Sequence, residues 1–278
     1  MSEQGGDAAC WADQVCDRCG MLVEPGATHE CVRGQLYDDI GTVYARHRRA
    51  DPRIAAQIRA ALGDARTVVN VGAGPGSYEF DDLDFVAVEP STIMLAQRVS
   101  GAAPAVQAVA EYLPFPSLSF DAALAVFTVH HWAHLEQGLQ ELCRAAPRRV
   151  VLCFDLRLEH ELWLVTEYLP EFLQFEEGLV WNPEDIAAAI GAERIEVVPV
   201  PHDCQDGFGG AYWRRPERYL DRDVQACISS LARLEPAVLQ RFETELRRDL
   251  DSGAWHARHR DLLALTEIDL GYRLVVAS

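Results

Sequence analysis

The chain has 278 residues, with 43 acidic and 25 basic side chains and a formal net charge of −18. Nucleic-acid binding rests on Lys and Arg against phosphate, so this balance disfavours a nucleic-acid partner. A 49% hydrophobic content can fill one large domain or one domain with additions, and with neither an apolar run of membrane-spanning length nor a basic-then-apolar start the expected location is cytoplasmic.

Residues 1–33 differ from the rest. Half of the chain's eight cysteines fall there, with little apolar periodicity. Cys16 and Cys19 form a CxxC pair, His29 and Cys31 follow within reach, and Cys10 lies upstream. Tetrahedral zinc takes four Cys or His ligands, and a CxxC turn presents two thiolates from one short loop. A segment this short cannot build a core of its own, so a structural Zn2+ is the natural staple. Which four of the five residues bind stays open. The alternatives are a redox pair and a tail with free thiols.

From residue 34 onward helices alternate with strands. Asp51-Pro52 starts a helix, Asp as cap and Pro at the first position. Arg46, Arg48, Arg49 and Arg53 form a local basic cluster whose plain reading is a solvated helix face. Strands are expected at 67–71, 84–88, 105–109, 120–127, 150–154, 195–200 and 272–277. Ser91 caps a helix to residue 99, and 135–144 forms another. Such alternation means a mostly parallel sheet with helices on both faces. The first strand ends in Gly72-Ala73-Gly74-Pro75-Gly76, a turn where a ligand can lie against the backbone. The segment after it is short and has room for about one helical turn. The second strand ends in Glu89-Pro90, and a carboxylate at that tip is placed to take both hydroxyls of a ribose. By itself such a glycine pattern is also met at a junction with no ligand. Residues 210–269 read as two or three helices inserted before the last strand. They form a lid or substrate wall, or else a packing appendage through which the chain pairs as a homodimer.

The blocks Gly72–Gly76, Glu89, Ala110-Glu111-Tyr112-Leu113-Pro114-Phe115 and Phe120–Phe127 come in an order that resembles the class I S-adenosylmethionine-dependent methyltransferases. The resemblance covers roughly residues 34–200 and the last strand. It implies a Rossmann-like α/β sheet, mostly parallel with the last strand antiparallel. It assigns cofactor contacts to Gly72, Gly74, Gly76, Glu89 and Pro90, and the adenine side to Ala110 and Glu111. It also places Tyr44 and Arg48 on a helix that closes over the methionyl end; without a ligand, that helix simply packs its apolar face. The domains are then a cysteine-rich segment, 1–33, and a methyltransferase domain, 34–278, with its helical cap.

Methyl transfer needs orientation, a dry site and, for an acidic acceptor, a base. Val129-His130-His131-Trp132 follows the fourth strand, where the family faces substrate, and His titrates near neutral pH. His131 is placed ahead of His130 as base; one of the pair can equally be structural. Asp155 orients a histidine, acts as base or caps a helix, and Glu171 is a weaker acid candidate. Trp132, Trp163, Tyr168, Tyr212 and Trp213 are candidates for a flat, apolar substrate, although aromatics also dominate cores. The resulting expectation is methylation of a small apolar or aromatic molecule, such as C-methylation of an indole-like or prenyl-derived scaffold of secondary metabolism. The alternatives are an RNA methyltransferase gripping nucleic acid with the zinc knuckle and a non-catalytic cofactor-binding assembly protein.

Overall fold

The computed structural model describes residues 47–176 and 181–278. Tyr44 and the cysteine-rich segment lie outside the described residues. The chain order is α1 (Pro52–Leu62), β1 (Thr67–Val71), β2 (Asp84–Val88), α2 (Thr92–Ala96), β3 (Ala105–Val106), β4 (Ala122–Val126), α3 (Leu135–Ala145), β5 (Arg148–Phe154) and α4 (Leu156–Glu159). Then follow α5 (Pro183–Ile190), β6 (Arg194–Val197), β7 (Val200–Pro201), α6 (Arg222–Cys227), α7 (Ser229–Ala232), α8 (Pro236–Asp251), α9 (Ala254–Arg258), β8 (Glu267–Ile268) and β9 (Tyr272–Ala277).

Seven strands form one sheet in the order β3-β2-β1-β4-β5-β9-β6. β1 pairs parallel with β2 and with β4, and β4 parallel with β5. β9 runs antiparallel to both neighbours, Phe154 opposite Tyr272 and Arg194 opposite Val276. Central strands read as near-continuous apolar runs because both faces are covered. Val68, Leu124, Val150 and Leu152 pack on one face with α1 and the cap. Val69, Val71, Ala123, Ala125 and Val151 pack on the other with α3 and α5. Helix α3 buries Leu139 and Leu142 there, each contributing about 1.5–3 kcal/mol.

Local signals set the helix ends. The Asp51 carboxylate accepts the Arg53 N–H ahead of α1, Pro52 opens it, and Gly63 closes it at φ +61°. Ser91 caps α2 as expected, but the helix stops at Ala96 rather than running to 99. The expected turn of helix after the glycines is absent, since residues 72–83 are turns only. β3 is two residues long, not five. The strand expected at 195–200 splits after Val197. β6 stays beside β9, while Val200 crosses to pair with Ile268 in a separate two-stranded sheet.

The insertion is helical, as its sequence predicts, and it ends in β8. Its core is aromatic. Trp213, Tyr219, Phe242 and Trp255 are fully buried, and Trp163 lies between the rings of Trp255 and Tyr219 at 5.1 and 5.6 Å. The Asp249 carboxylate accepts from Arg258 (2.6 Å) and from the Tyr168 hydroxyl (2.9 Å). Hydrogen bonding to Arg258 above all pulls the Asp249 carboxyl down to about 2. A lowered native pKa stabilises the fold at pH values above the ordinary carboxylate range, and that contribution is lost as pH falls toward 2. Asp249→Asn should therefore flatten the acid side of the stability–pH curve, as followed by urea denaturation between pH 2 and 6. An unchanged curve would remove this role.

Candidate active site

β1 and β4 are neighbours whose connections leave in opposite directions, so a crevice opens beyond their carboxyl ends. Gly72 adopts φ +70° there, and a Cβ on it would lie 1.9 Å from the Thr128 hydroxyl oxygen. Only glycine lets the turn pass so close to the end of β4. Gly74, at φ +53°, has nothing within 4 Å of a built Cβ, so its Cα faces open space.

Glu89 is buried at the tip of β2. One carboxylate oxygen accepts the Gly74 N–H at 2.8 Å and the other accepts the Ser91 N–H at 3.0 Å. Burial pushes its carboxyl above the ordinary range, opposed by the two amides and by the charge of Arg98. An ionised carboxylate has about four acceptor positions. The amides use one on each oxygen and leave one on each for a pair of adjacent hydroxyls. Pro90, half-buried, accepts from the Gln107 amide. These residues fit the ribose and backbone contacts of S-adenosylmethionine.

The other cofactor candidates are placed differently. Ala110 is buried, and the Glu111 carboxylate accepts the His134 N–H at 2.9 Å, turned toward the start of α3. The Arg48 Nε donates to Asp206 at 2.7 Å, and its guanidinium sits 6.0 Å from the Phe127 ring centre. Its carbonyl accepts from Ser77, just after the glycine turn. Arg48 thus joins the turn, the end of β4 and the root of the cap.

His130 and His131 lie in a single turn of 3-10 helix after β4, ring centres 3.8 Å apart. His130 meets Phe154 edge to face at 4.9 Å and lines a cavity of about 200 Å3. Val129, Trp132, Leu135, Phe154, Leu156, Trp181 and Ile186 supply most of its wall. His131 is not among the lining residues. Trp132 lies flat on α3 where Gly138 has no side chain, since a Cβ there would meet the indole at 2.4 Å. The Trp132 Nε1 donates to the Thr128 hydroxyl. Cys153 at the base of the cavity is pushed up to about 12 by burial, so its thiol stays protonated.

Asp155 caps α4, and its carboxylate accepts from the Arg157 backbone N–H and guanidinium at 2.6–3.0 Å. Those bonds hold its carboxyl below the usual range, which makes it a poor proton acceptor. Trp163, Tyr168, Tyr212 and Trp213 are at most 4% exposed. The Trp163 Nε1 donates to the Trp213 carbonyl and the Trp213 Nε1 to the Val200 carbonyl. These four side chains form the cap's interior, apart from the cavity around Trp132. Glu171 pairs with Arg241.

One feature at the site carries no sequence signal. Phe127 takes φ +52° at the end of β4, a conformation that costs a non-glycine residue about 1–3 kcal/mol and tends to cluster at functional sites. Its ring packs on Phe208 and Tyr272 at 5.1 and 5.5 Å. Trp181, 41% exposed, closes the cavity from ahead of α5. Among the described residues no group of three or more His, Cys, Asp or Glu could hold a metal ion. The zinc candidates Cys10, Cys16, Cys19, His29 and Cys31 lie outside the described residues. Among those described, no helix is long and apolar enough to cross a membrane.

A methyltransferase-domain family model matches residues 69–154. A solved structure from Anabaena variabilis, described as "Putative methyltransferase from antibiotic biosynthesis pathway", is 32% identical over 84% of this chain and 99% of its own, with a TM-score of 0.76. A SAM-dependent methyltransferase from Thermotoga maritima is 22% identical over 60% of this chain and 81% of its own, TM-score 0.45. A geranyl diphosphate C-methyltransferase from Streptomyces coelicolor, solved with S-adenosyl-L-homocysteine, is 14% identical over 81% and 77%, TM-score 0.45. No curated protein matches the chain. The match to the family model and the 32% identity to the Anabaena variabilis structure over 84% of this chain show that the chain belongs to the S-adenosylmethionine-dependent methyltransferases of class I fold.

Proposed function

We propose that this enzyme methylates a small, uncharged apolar or aromatic metabolite. The observation that carries this reading is the cavity beside His130. Among the described residues its lining holds no Asp, Glu, Lys or Arg, and it presents the indoles of Trp132 and Trp181 with Phe154, Leu156 and Ile186. A flat apolar molecule gains burial against such walls without leaving a charge unpaired. The Anabaena variabilis relative is described as a putative methyltransferase of an antibiotic biosynthesis pathway, in keeping with a small-molecule acceptor.

The bound cofactor supplies an activated methyl group on sulfur. The protein's part is to hold the acceptor in line and dry, which is worth about 7–11 kcal/mol of barrier when the geometry is right. Glu89 and the open face of Gly74 fix the nucleoside. Trp132, hydrogen-bonded to Thr128 against the glycine turn, ties the acceptor wall to the cofactor wall. In this reading the His130 imidazole, its ring centre 3.8 Å from that of His131, takes the proton from the acceptor. In this reading Asp155 supports the end of β5 through its cap and does not exchange protons.

The test is incubation with methyl-labelled S-adenosylmethionine and a metabolite extract, followed by mass analysis of what gains the label. Label entering an apolar small molecule supports the proposal. Label confined to RNA, or cofactor binding with no transfer to any pool, overturns it. The zinc proposal rests on the CxxC and HxC spacing alone. About one zinc per chain is expected in protein prepared without chelator, released by Cys16→Ser or Cys19→Ser. Elemental analysis without zinc would end it.

A further inference from the structure

The helix that the sequence leads one to expect after β1 is missing, yet the glycine turn has to be held. Directly against it lies an ion pair. The Arg98 and Glu79 side chains are only 7% and 10% exposed and meet at 2.7 Å. Arg98 Nη2 donates to both Glu79 oxygens and to the Ala103 carbonyl. Glu79 also accepts the Ala103 N–H at 3.1 Å and the Asn70 side-chain amide at 3.4 Å. Most of the pair's donors and acceptors are therefore matched, as a pair removed from water requires.

The pair reaches the turn at two points. Arg98 Nη1 donates to the Gly74 carbonyl at 3.3 Å. The N–H of the same glycine donates to Glu89 at 2.8 Å. Gly74 is thus clamped from both sides, by the arginine through its carbonyl and by the ribose acid through its amide. At Gly76 a Cβ would lie 3.1 Å from both Arg98 Nη1 and a Glu79 carboxylate oxygen. The third glycine of the motif makes room for the ion pair.

We propose that Arg98, locked by Glu79, is a positioning residue for the cofactor: it holds the Gly74–Gly76 turn in the shape that presents Gly74 and aims Glu89 at the ribose. The inference rests on the cofactor assignment of that turn. It has an electrostatic corollary. The groups facing Glu89 are the Gly74 N–H from the turn, the Ser91 N–H from the cap of α2, and Arg98 from just beyond the end of α2. Arg98 is the cation among them. Burial drives the Glu89 carboxyl upward, and the arginine's charge works against that drive. Without the charge Glu89 protonates at higher pH. A protonated acid retains fewer acceptor positions for the two hydroxyls.

The experiment is calorimetric binding of S-adenosylhomocysteine to the full chain between pH 5 and 9, with circular dichroism as the check of fold. Arg98→Gln should bind roughly 10–100-fold more weakly, and its acid-side loss of affinity should move to higher pH than in the wild type. Arg98→Lys keeps the charge but cannot span Gly74 and Glu79 as a guanidinium does. It should bind more weakly with its acid-side loss at the wild-type pH. Glu79→Gln should weaken binding less than Arg98→Gln. Wild-type affinity and pH profile in folded Arg98→Gln would overturn the proposal. If that variant does not fold, wild-type affinity in Arg98→Lys would overturn it. Glu89→Ala is the control on the cofactor assignment: unchanged binding there removes the assignment, whereas loss there with no effect at Arg98 removes only the present inference.

Discussion

Gly74→Val should give a folded protein that has lost its hold on the cofactor, and Gly72→Ala one that is close to unfolding. The two glycines are two residues apart in one motif and serve different ends. At Gly72 the added carbon would sit 1.9 Å from the Thr128 hydroxyl oxygen, so Thr128 or the turn must move. Overpacking of this kind costs about 1–3 kcal/mol, and the left-handed backbone adds about 1–2 kcal/mol for any residue with a Cβ. Against a total stability of about 5–15 kcal/mol that is a large loss, readable as a shift in the urea midpoint. At Gly74 an added Cβ meets no protein atom within 4 Å, so the backbone strain is the main cost to the fold. The isopropyl group instead fills the space beside Glu89, and S-adenosylhomocysteine affinity should fall about a hundredfold or more, roughly 2.7 kcal/mol. Tight calorimetric binding by folded Gly74→Val would sink the placement of the cofactor against this turn.

His130→Ala should lower turnover by roughly 10²–10⁴-fold if the acceptor must lose a proton, with S-adenosylhomocysteine binding unchanged. His131→Ala should cost less, because His130 lines the cavity and His131 does not. The competing account is an acceptor already nucleophilic enough, such as an electron-rich ring carbon, methylated by orientation alone. Both histidine variants would then keep most of their rate, and Trp132→Ala, which removes a cavity wall, would cost more. Rates for the three variants on one acceptor separate the accounts. Near-wild-type turnover in His130→Ala and His131→Ala together would eliminate the base.

The sheet and its glycine turn were legible in the sequence because each depends on local chemistry. Buried parallel strands are apolar at successive positions, so β1, β2, β5 and β9 stand out as runs, and the matches at Thr67–Val71, Asp84–Val88 and Tyr272–Ala277 are residue for residue. Gly72, Gly74 and Glu89 are likewise marked by residue type, since a left-handed backbone favours glycine and a strand-end acceptor for two backbone amides suits a carboxylate. The N-caps at Asp51 and Ser91 were local in the same way, being side chains that bond to the backbone two or three residues on. What the tertiary structure decided is everything that depends on which distant residue arrives alongside. Trp132 and Trp213 are the same residue type in similarly aromatic stretches. Gly138 and Thr128 leave one against a cavity, whereas Trp163 and Val200 bury the other in the cap. Asp155, whose residue type alone fits a base, a histidine orienter or a helix cap, caps a helix with Arg157 folded back onto it. The Glu79–Arg98 pair, nineteen positions apart with no spacing rule to join them, stands where a helix was expected. A burial pattern is written along the chain, but a side chain's partner is fixed by the packing of elements that local sequence does not encode.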